Sequence, residues 1–249
     1  MSDVHVLPLL LKSLRLGSLI SQWEPMAEKA RDQNWPVERD LSELCRLEVD
    51  SREEKRLQRH LKESNLPTGK YLDNYDFDAV KGINQNQVWH LANNTEWVKT
   101  GNNVLLFGAS GLGKTHLAAG VSYKLIEHGH RVKFMSANLM VQHLQQAKGA
   151  LKLSEALMKL DKYSVLVLDD IGYVQKSSEE TSVLFELIAH RYERYSLMIT
   201  SNQSFEEWDQ LFDNTVMTVA AIDRLIHHAK ILQCEGESYR RKEAQLNLV

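Results

Sequence analysis

One stretch limits the possible folds of this chain more than any other. It reads Gly108-Ala109-Ser110-Gly111-Leu112-Gly113-Lys114-Thr115 and fits the pattern G-x-x-x-x-G-K-[ST]. Residues 103–107 before it are predicted to form a short buried strand, and residues 114–128 a helix. A glycine-rich loop between a strand and a helix N-terminus is typical of proteins that bind the phosphates of ATP or GTP. The flanking elements disfavour the alternative, a purely structural turn.

Each fixed position of this phosphate loop has a chemical reason. The three glycines allow the backbone to surround an anion with its N–H groups, Lys114 brings a positive charge to the outer phosphates, and the Thr115 hydroxyl is placed to hold Mg²⁺. The predicted nucleotide-binding residues are Gly108, Ala109, Ser110, Gly111, Leu112, Gly113, Lys114, Thr115 and His116.

A second nucleotide signature follows about fifty residues after Lys114, where the apolar run 165–168 ends in Asp169-Asp170. Such a strand is common by itself, but together with the phosphate loop it predicts a hydrolytic site. Asp169 is expected to join Thr115 at Mg²⁺, and Asp170 is expected to act as the general base that activates water.

Two further polar residues are candidates for catalysis. Asn202 follows the predicted strand 196–200, and it could orient the attacking water or contact the γ-phosphate; an ordinary turn at the strand end is the alternative. Arg224 could stabilise transition-state charge on a nucleotide held by a neighbouring subunit, or form a surface ion pair. The adjacent His227 and His228 are interpreted as surface or packing residues rather than metal ligands, because neighbouring positions on a helix do not share a face.

The composition narrows the class of protein. The 249 residues are 43% hydrophobic and 25% charged, with a net charge of −3, so a sizeable core is possible and any nucleic-acid contact must come from local patches. The two cysteines, Cys45 and Cys234, lie far apart and suggest a reducing, cytoplasmic location. No apolar run reaches the ~20 residues that would span a bilayer, so no membrane contact is expected.

Three regions are predicted from the patterning. Residues 1–66 are predicted to form a helical N-terminal domain, 67–102 a connector with the first helix of the core, and 103–249 an α/β ATPase domain. In the first region we expect one helix from Leu7 to Gln22 that closes near Pro25, and a second that carries Trp23, Met26 and Ala30 and stops before Pro36. A third is expected to begin at Asp40, which stands in capping-box spacing with Glu43, and could run to Ser64.

The second half of the 40–64 helix carries a basic stripe, Arg52, Lys55, Arg56 and Arg59, at the spacing of one helix face. This basic stripe could contact a phosphate backbone. It could equally be a solvated face with intrahelical pairs such as Glu48–Arg52.

From residue 103 onward strands and helices alternate, which predicts a parallel sheet of five strands with right-handed crossovers. The predicted strands are 103–107, 131–135, 163–168, 196–200 and 230–234. Helices are expected at 87–97 before the first strand, at 114–128, 137–147 and 153–161, and from Ser177 to about Tyr195.

The order of these motifs resembles a known family over nearly the whole chain. Besides the phosphate loop and the paired acids, the resemblance is carried by the segments 190–193, 199–202, 205–208, 223–227 and 236–240. The chain is similar to IstB, the ATP-binding helper of insertion-sequence transposition. That family is related to the DnaC helicase loaders in the initiator branch of the AAA+ ATPases.

The resemblance implies an AAA+ P-loop core with ATP and Mg²⁺ as cofactors. It implies the same roles for Lys114, Thr115 and Asp169, an acid at 170 for water activation, Asn202 as first sensor and Arg224 as an arginine finger acting in trans. Proteins similar to IstB bind duplex DNA with little sequence preference, form ATP-dependent homo-oligomers around it, and recruit and stimulate a cognate transposase.

The initiator branch also carries a helical element between its second and third strands, which the helices 137–147 and 153–161 match. Lys148, Lys152 and Lys159 would make that element face DNA; a pair of helices packed on the core with solvated lysines is the alternative.

Two departures from the family pattern affect the expected activity. Position 170 is Asp where many relatives have Glu, so the carboxylate would lie further from the water and hydrolysis could be slow. The sequence after the fifth strand is too short for a full helical lid, so we expect a reduced or absent lid, with Arg240 as only a weak substitute for its second sensor.

Two other functions fit the same loop. A replicative helicase loader would bind a helicase and favour single strands. A small-molecule kinase would need a lid and an acceptor pocket, and would have no use for Arg224 in trans.

Overall fold

The computed structural model describes residues 6–173, 178–203 and 215–239. The chain divides into two compact units, residues 1–59 and 60–249. The division into 1–66, 67–102 and 103–249 remains a prediction from the sequence. In the part of the chain that the structure describes, no helix is both long and apolar enough to cross a bilayer.

The helices at the N-terminal end are α1 (Leu7–Ser13), α2 (Gly17–Asp32) and α3 (Val37–Ser64). The expected single helix from Leu7 to Gln22 is wrong, because the chain turns at Arg15, whose φ of 57° is left-handed. A new helix then begins, since the Glu48 carboxylate accepts hydrogen bonds from the Ser18 and Leu19 amides at 2.8 and 3.4 Å. Such free amides at a helix start need an acceptor.

Two further helix boundaries in this region differ from the expectation. Helix α2 continues through Pro25, where the lost backbone hydrogen bond is offset by packing of Trp23 and Met26 against the cluster of Leu11, Leu19 and Leu44. Helix α3 begins at Val37 and not at Asp40. The Pro36 carbonyl accepts hydrogen bonds from Arg39 and Asp40, which opens the helix three residues earlier.

The second unit contains the alternating strands and helices. Its elements are a 3₁₀ turn (Leu72–Asn74), α4 (Gln85–Asn93), α5 (Glu96–Lys99), β1 (Val104–Phe107), α6 (Lys114–Glu127), β2 (Val132–Ser136), α7 (Ala137–Gly149), α8 (Leu153–Leu160), β3 (Val165–Asp169), a 3₁₀ turn (Ile171–Tyr173), α9 (Ser178–Arg191), β4 (Ser196–Ser201), α10 (Thr215–Ile226) and β5 (Lys230–Gln233). The helix expected over 87–97 is instead α4 and α5, because the Asn94 side chain accepts from the Glu96 amide at 3.1 Å and starts a new turn. Ser177, expected to open α9, the segment 205–208 and Arg240 lie outside the described residues.

All five strands are parallel, in the order β2-β3-β4-β1-β5. The expected five-stranded parallel sheet is therefore confirmed. Strand β1, which leads into the phosphate loop, lies between β4 and β5. In parallel sheets the carboxyl ends of strands share one edge, so the residues after β1, β3 and β4 lie near each other.

Helices cover both faces of this sheet, which explains its apolar strands. Successive residues of β1 alternate between the faces: Leu105 and Phe107 pack with α7, α9 and α10 in the main core. Val104 and Leu106 line the opposite interior with Leu91 of α4 and residues of α6.

A fully buried arginine at the end of α9 ties the helix to two strands. Arg191 is 0% exposed, and its Nη2 lies 3.0–3.2 Å from the carbonyl oxygens of Tyr163, Ser164 and Ser196. These carbonyls stand at the starts of β3 and β4. The guanidinium supplies donors to them inside the fold.

Candidate functional site

The phosphate loop has the backbone geometry that its glycines predict. Gly108, Gly111 and Gly113 have φ angles of 143°, 87° and 76°, all in the region that side chains disfavour. Helix α6 begins at Lys114, directly after Gly113. The loop therefore ends on the first free amides of a helix, which is the arrangement that binds phosphate.

Lys114 is almost completely buried within the loop. Its Nζ donates to the carbonyl oxygens of Gly108 and Ala109 at 2.6 and 2.9 Å, and the residue is 5% exposed. Two backbone carbonyls of the loop thus hold the ammonium group at the site where phosphate charge is expected.

Thr115 and Asp169 meet in the structure, although they are 54 positions apart. The Thr115 Oγ1 lies 3.1 Å from both carboxylate oxygens of Asp169, and the Thr200 hydroxyl donates to Asp169 Oδ1 at 2.6 Å. Burial raises the pKa of Asp169, and the Thr200 hydrogen bond opposes this only in part. A hydroxyl and a partly buried carboxylate are oxygen ligands that suit Mg²⁺, and a cation there would compensate the charge of Asp169.

Asp170 continues from β3 into an unusual backbone conformation. Its φ is 57°, and its amide donates to the Thr200 Oγ1 at 2.8 Å. Thr200 therefore binds both acids, one as donor and one as acceptor. Asp170 lines the same cavity as Lys114 and Thr115, which is where a base for the attacking water is required.

Asn202 follows β4 and lines an adjoining cavity with Gly108 and Ala109. Its Oδ1 is buried and has no hydrogen-bond partner among the described residues. A buried carbonyl oxygen without a partner is costly. A water or another donor beside the loop would satisfy the Asn202 amide oxygen.

A cavity of about 300 Å³ lies over the loop. One wall comes from residues 70–80, where Tyr75, Ala79 and Val80 supply mostly apolar surface. Tyr75 is buried, its hydroxyl donates to the Leu112 carbonyl at 3.3 Å, and burial raises its pKa above the usual value. The cavity thus joins an apolar wall to a phosphate loop, as a nucleotide requires.

His116 joins the loop to that wall. Its Nε2 lies 2.9 Å from both the Tyr71 carbonyl oxygen and the Asn74 Oδ1, and its ring packs edge-on against Tyr75 at 5.2 Å. His116 also lines the cavity. The structure therefore places it as a support of the 71–75 segment at the nucleotide cavity.

Arg224 does not lie at this cavity in its own chain. It is exposed at the end of α10, in a separate depression with Tyr192, Asp223 and Ile226. None of the described carboxylates forms an ion pair with it. An exposed arginine without such a partner is available to a neighbouring molecule.

The interpretation of the two histidines needs one correction. Helix α10 ends at Ile226, so His227 and His228 lie in a turn, where their ring centroids are 4.0 Å apart. They also lie beside the exposed Glu193, with side-chain ligand atoms of the three residues within 4.8 Å of one another. Helix geometry therefore does not separate the two rings.

The basic stripe on α3 is exposed, but its members differ in their hydrogen-bond partners. Arg52 donates to Glu48 at 2.8 Å, and this is the intrahelical pair considered as the alternative. Arg52 also donates to the Arg15 carbonyl at 2.9 Å. Burial disfavours the Glu48 charge, yet the hydrogen bonds from Arg52 and from the α2 amides outweigh it and lower the Glu48 pKa. Among the described acids, none lies within ion-pair distance of Lys55 or Arg59.

The lysines of the α7–α8 element are exposed as well. Lys148 binds Glu186 and Ser182 of α9 at 3.0 and 2.9 Å, while Lys152 and Lys159 flank α8 on its exposed side. The apolar faces of both helices pack in the main core. Packing of the pair on the core is thus a fact, and DNA contact by its lysines remains a prediction.

Two contributors to the site were not singled out from the sequence. Thr200 ends the predicted strand 196–200, but its binding to both acids depends on the pairing of β3 with β4. Tyr239 lines the cavity from a segment more than a hundred residues after the loop. The only sequence signal for it is its place in the 236–240 motif.

Comparison with known proteins shows the family. The model of the IstB-like ATP-binding protein family matches residues 9–247. An insertion-sequence ATP-binding protein of Sinorhizobium fredii is 48% identical over 97% of this chain and 81% of its own length. The corresponding protein of insertion sequence IS21 from Pseudomonas aeruginosa is 36% identical over 96% of this chain and 90% of its own.

Solved structures agree on the fold. The DnaC helicase loader matches with a TM-score of 0.57 at 22% identity, over 68% of this chain and 98% of its own. DnaA from Aquifex aeolicus bound to AMPPCP has a TM-score of 0.57 at 17% identity, over 74% of this chain and 56% of its own. The expected AAA+ P-loop fold is confirmed, and the chain belongs to the IstB-like ATP-binding protein family of insertion sequences.

Proposed function

We propose that this protein is a DNA-dependent ATPase that regulates transposition. It oligomerises on duplex DNA with little sequence preference, hydrolyses ATP at subunit interfaces, and recruits or stimulates a cognate transposase. The observation that carries the proposal is the division of the site. The phosphate loop and Asp170 share one cavity, whereas Arg224 is exposed elsewhere.

The side chains would divide the reaction among them. Lys114 binds the outer phosphates, and Thr115 with Asp169 would hold Mg²⁺, which neutralises charge on the β- and γ-phosphates. Asp170 accepts a proton as the water oxygen attacks the γ-phosphorus and the bond to the bridging oxygen breaks, releasing ADP and phosphate. Asn202 orients that water, and Arg224 of a neighbouring copy stabilises the developing charge.

The names of the relatives support transposition over replication, because each of those compared is an ATP-binding protein of an insertion sequence. The likeness to DnaC is at the level of the fold. A helicase loader is therefore the alternative, and preference for single-stranded over duplex DNA would favour it. A cytoplasmic location remains a prediction.

The central test uses Lys114→Ala, because removal of the ammonium should abolish nucleotide binding and with it assembly on DNA. Lys124→Ala on the same helix is the control, since Lys124 pairs with Glu127 at the surface and should assemble normally. Assembly is measured by mass photometry or electron microscopy of protein on duplex DNA with a slowly hydrolysed ATP analogue. Unchanged ATP-dependent assembly of Lys114→Ala would refute the proposal.

A further inference from the structure

The segment after β5 runs alongside the phosphate loop. We call residues 234–239 the C-terminal strap. It is fixed at its start by backbone hydrogen bonds: the Cys234 amide donates to the Phe107 carbonyl at 2.7 Å, and Lys81 and Glu235 exchange two bonds of 2.8 Å. The strap therefore connects the end of β1 to the segment that forms the apolar wall of the cavity.

Two loop glycines allow this close approach. A side chain at Gly108 would overlap the backbone of Cys234, and one at Gly111 would overlap the Ser238 hydroxyl. Both positions also have positive φ angles. The glycines thus serve a second purpose besides anion binding, because they let the strap pack on the outer side of the loop.

The strap also satisfies a carbonyl of the loop. A loop that turns its amides towards an anion leaves carbonyl oxygens directed elsewhere, and these need donors. Lys114 supplies a donor to Gly108 and Ala109, and the Tyr239 amide donates to the Gly111 oxygen at 3.0 Å. Tyr239 itself lines the cavity and is 52% exposed, so its ring is accessible to a bound molecule.

We propose that Tyr239 is a nucleotide-positioning residue. Its amide holds the Gly111 peptide in the conformation that binds phosphate, and its ring forms a wall of the cavity that contacts the bound nucleotide. The inference rests on the proposed function in one respect, namely that the loop binds a nucleoside triphosphate. It adds to that loop a contact from the strap.

Two substitutions test the ring and the amide in steps. Tyr239→Ala removes the ring and keeps the amide donor, and Tyr239→Pro removes both. The loss of the ring surface should raise the Kd of a fluorescent ATP analogue about three- to tenfold, and the further loss of the hydrogen bond should raise it about three- to tenfold more. Tyr192→Ala, at a tyrosine in the separate depression, is the matched control.

Thermal unfolding without nucleotide is measured alongside. Tyr239→Ala should unfold at the parent's temperature, so that its weaker binding reflects the missing ring and not a damaged fold. Parent-like Kd values for both Tyr239→Ala and Tyr239→Pro would overturn the inference while Lys114→Ala still loses binding. If the parent itself binds no ATP analogue, the proposed function and this inference fall together.

Discussion

At the scale of single residues, Asp169 carries an electrostatic cost. Its carboxylate is partly buried between the hydroxyls of Thr115 and Thr200, and this burial raises its pKa. A carboxyl group whose pKa is higher in the folded than in the unfolded state binds protons more tightly when folded. Ionised Asp169 therefore lowers stability, and this cost grows as the pH rises from the unfolded pKa through the raised one.

We expect Asp169→Asn to keep or raise the stability of the protein but to weaken its binding of Mg²⁺. Without nucleotide, the variant should unfold at a temperature equal to or above that of the parent at pH 8, and the difference should shrink as the pH is lowered to about 4, near the pKa of an unfolded aspartate. Its Mg²⁺-dependent affinity for ATP should fall at least tenfold, since the anionic ligand is lost. Thermal unfolding at both pH values and nucleotide titration with and without Mg²⁺ measure this.

The exposed Asp73→Asn is the control for this pH dependence, and its unfolding should follow the parent at both pH values. A variant Asp169→Asn that is clearly less stable than the parent at pH 8 would show that hydrogen bonding of the carboxylate outweighs its burial.

The sequence predicted the residues of the loop because glycine, lysine and threonine are required there by local geometry. It also placed Asp169 at a strand end, and the structure brings that carboxylate to Thr115. The role of Thr200 could not be predicted in the same way. A hydroxyl at a strand end is compatible with many turns, and only the register of β3 against β4 directs it to the two acids.

At the scale of elements, the buried Arg191 fastens α9 to the starts of β3 and β4. We expect Arg191→Met to reduce the free energy of unfolding by about 3 kcal/mol, because the carbonyls of Tyr163, Ser164 and Ser196 lose the hydrogen bonds from its guanidinium inside the fold. Chemical denaturation followed by tryptophan fluorescence measures the change.

Arg194→Met, three residues on, is the matched control. Arg194 is 58% exposed and 4.0 Å from Asp161, so its loss should change stability by no more than about 0.5 kcal/mol. Equal effects of the two substitutions would contradict the role given to Arg191.

The basic stripe on α3 yields a test of DNA binding. Changing Arg52, Lys55, Arg56 and Arg59 together to Gln should reduce the salt dependence of duplex binding, by about 0.9 in the logarithmic slope for each phosphate that is no longer neutralised. Arg52 already has two partners in its own chain, so Lys55 and Arg59 should account for most of the change. Binding titrations between low and moderate salt measure the slope.

A second variant, in which Lys148, Lys152 and Lys159 become Gln, tests the α7–α8 element by the same measurement. If only this variant changes the slope, the stripe on α3 is a solvated helix face and DNA contacts lie on the ATPase core.

The elements of the core were predictable because strand and helix periods alternate strongly there. The N-terminal helices were less so. The sequence marks Pro25 as a helix end and gives no sign of a turn at Arg15. In the structure the helix continues through Pro25, and the chain turns at Arg15. The cause is tertiary: packing holds α2 together across Pro25, and Glu48, thirty residues away from Ser18, starts it.

At the scale of the whole molecule, the separation of Arg224 from the cavity of its own chain predicts a site shared between subunits. Arg224→Ala should bind ATP with nearly the parent's Kd, but its DNA-stimulated hydrolysis should fall about 10³-fold, as for other arginine fingers. Lys114→Ala does not assemble alone, but its Arg224 can dock against the ATP held by an Arg224→Ala subunit. Mixing the two variants should therefore restore part of the activity.

Arg194→Ala serves as the control for loss of an exposed arginine and should hydrolyse ATP as the parent does. Failure of every mixing ratio to recover hydrolysis would argue against a role in trans.

The strand order also has a consequence for how the protein is made. Strand β1 does not pair with β2, the next strand along the chain, but with β4 and β5, which are synthesised roughly a hundred residues later. At roughly 5–20 residues per second of synthesis, the phosphate loop waits on the order of 5–20 s for its neighbouring strands. Nucleotide binding is therefore a late event in folding, and a ligand would stabilise only chains whose sheet is complete.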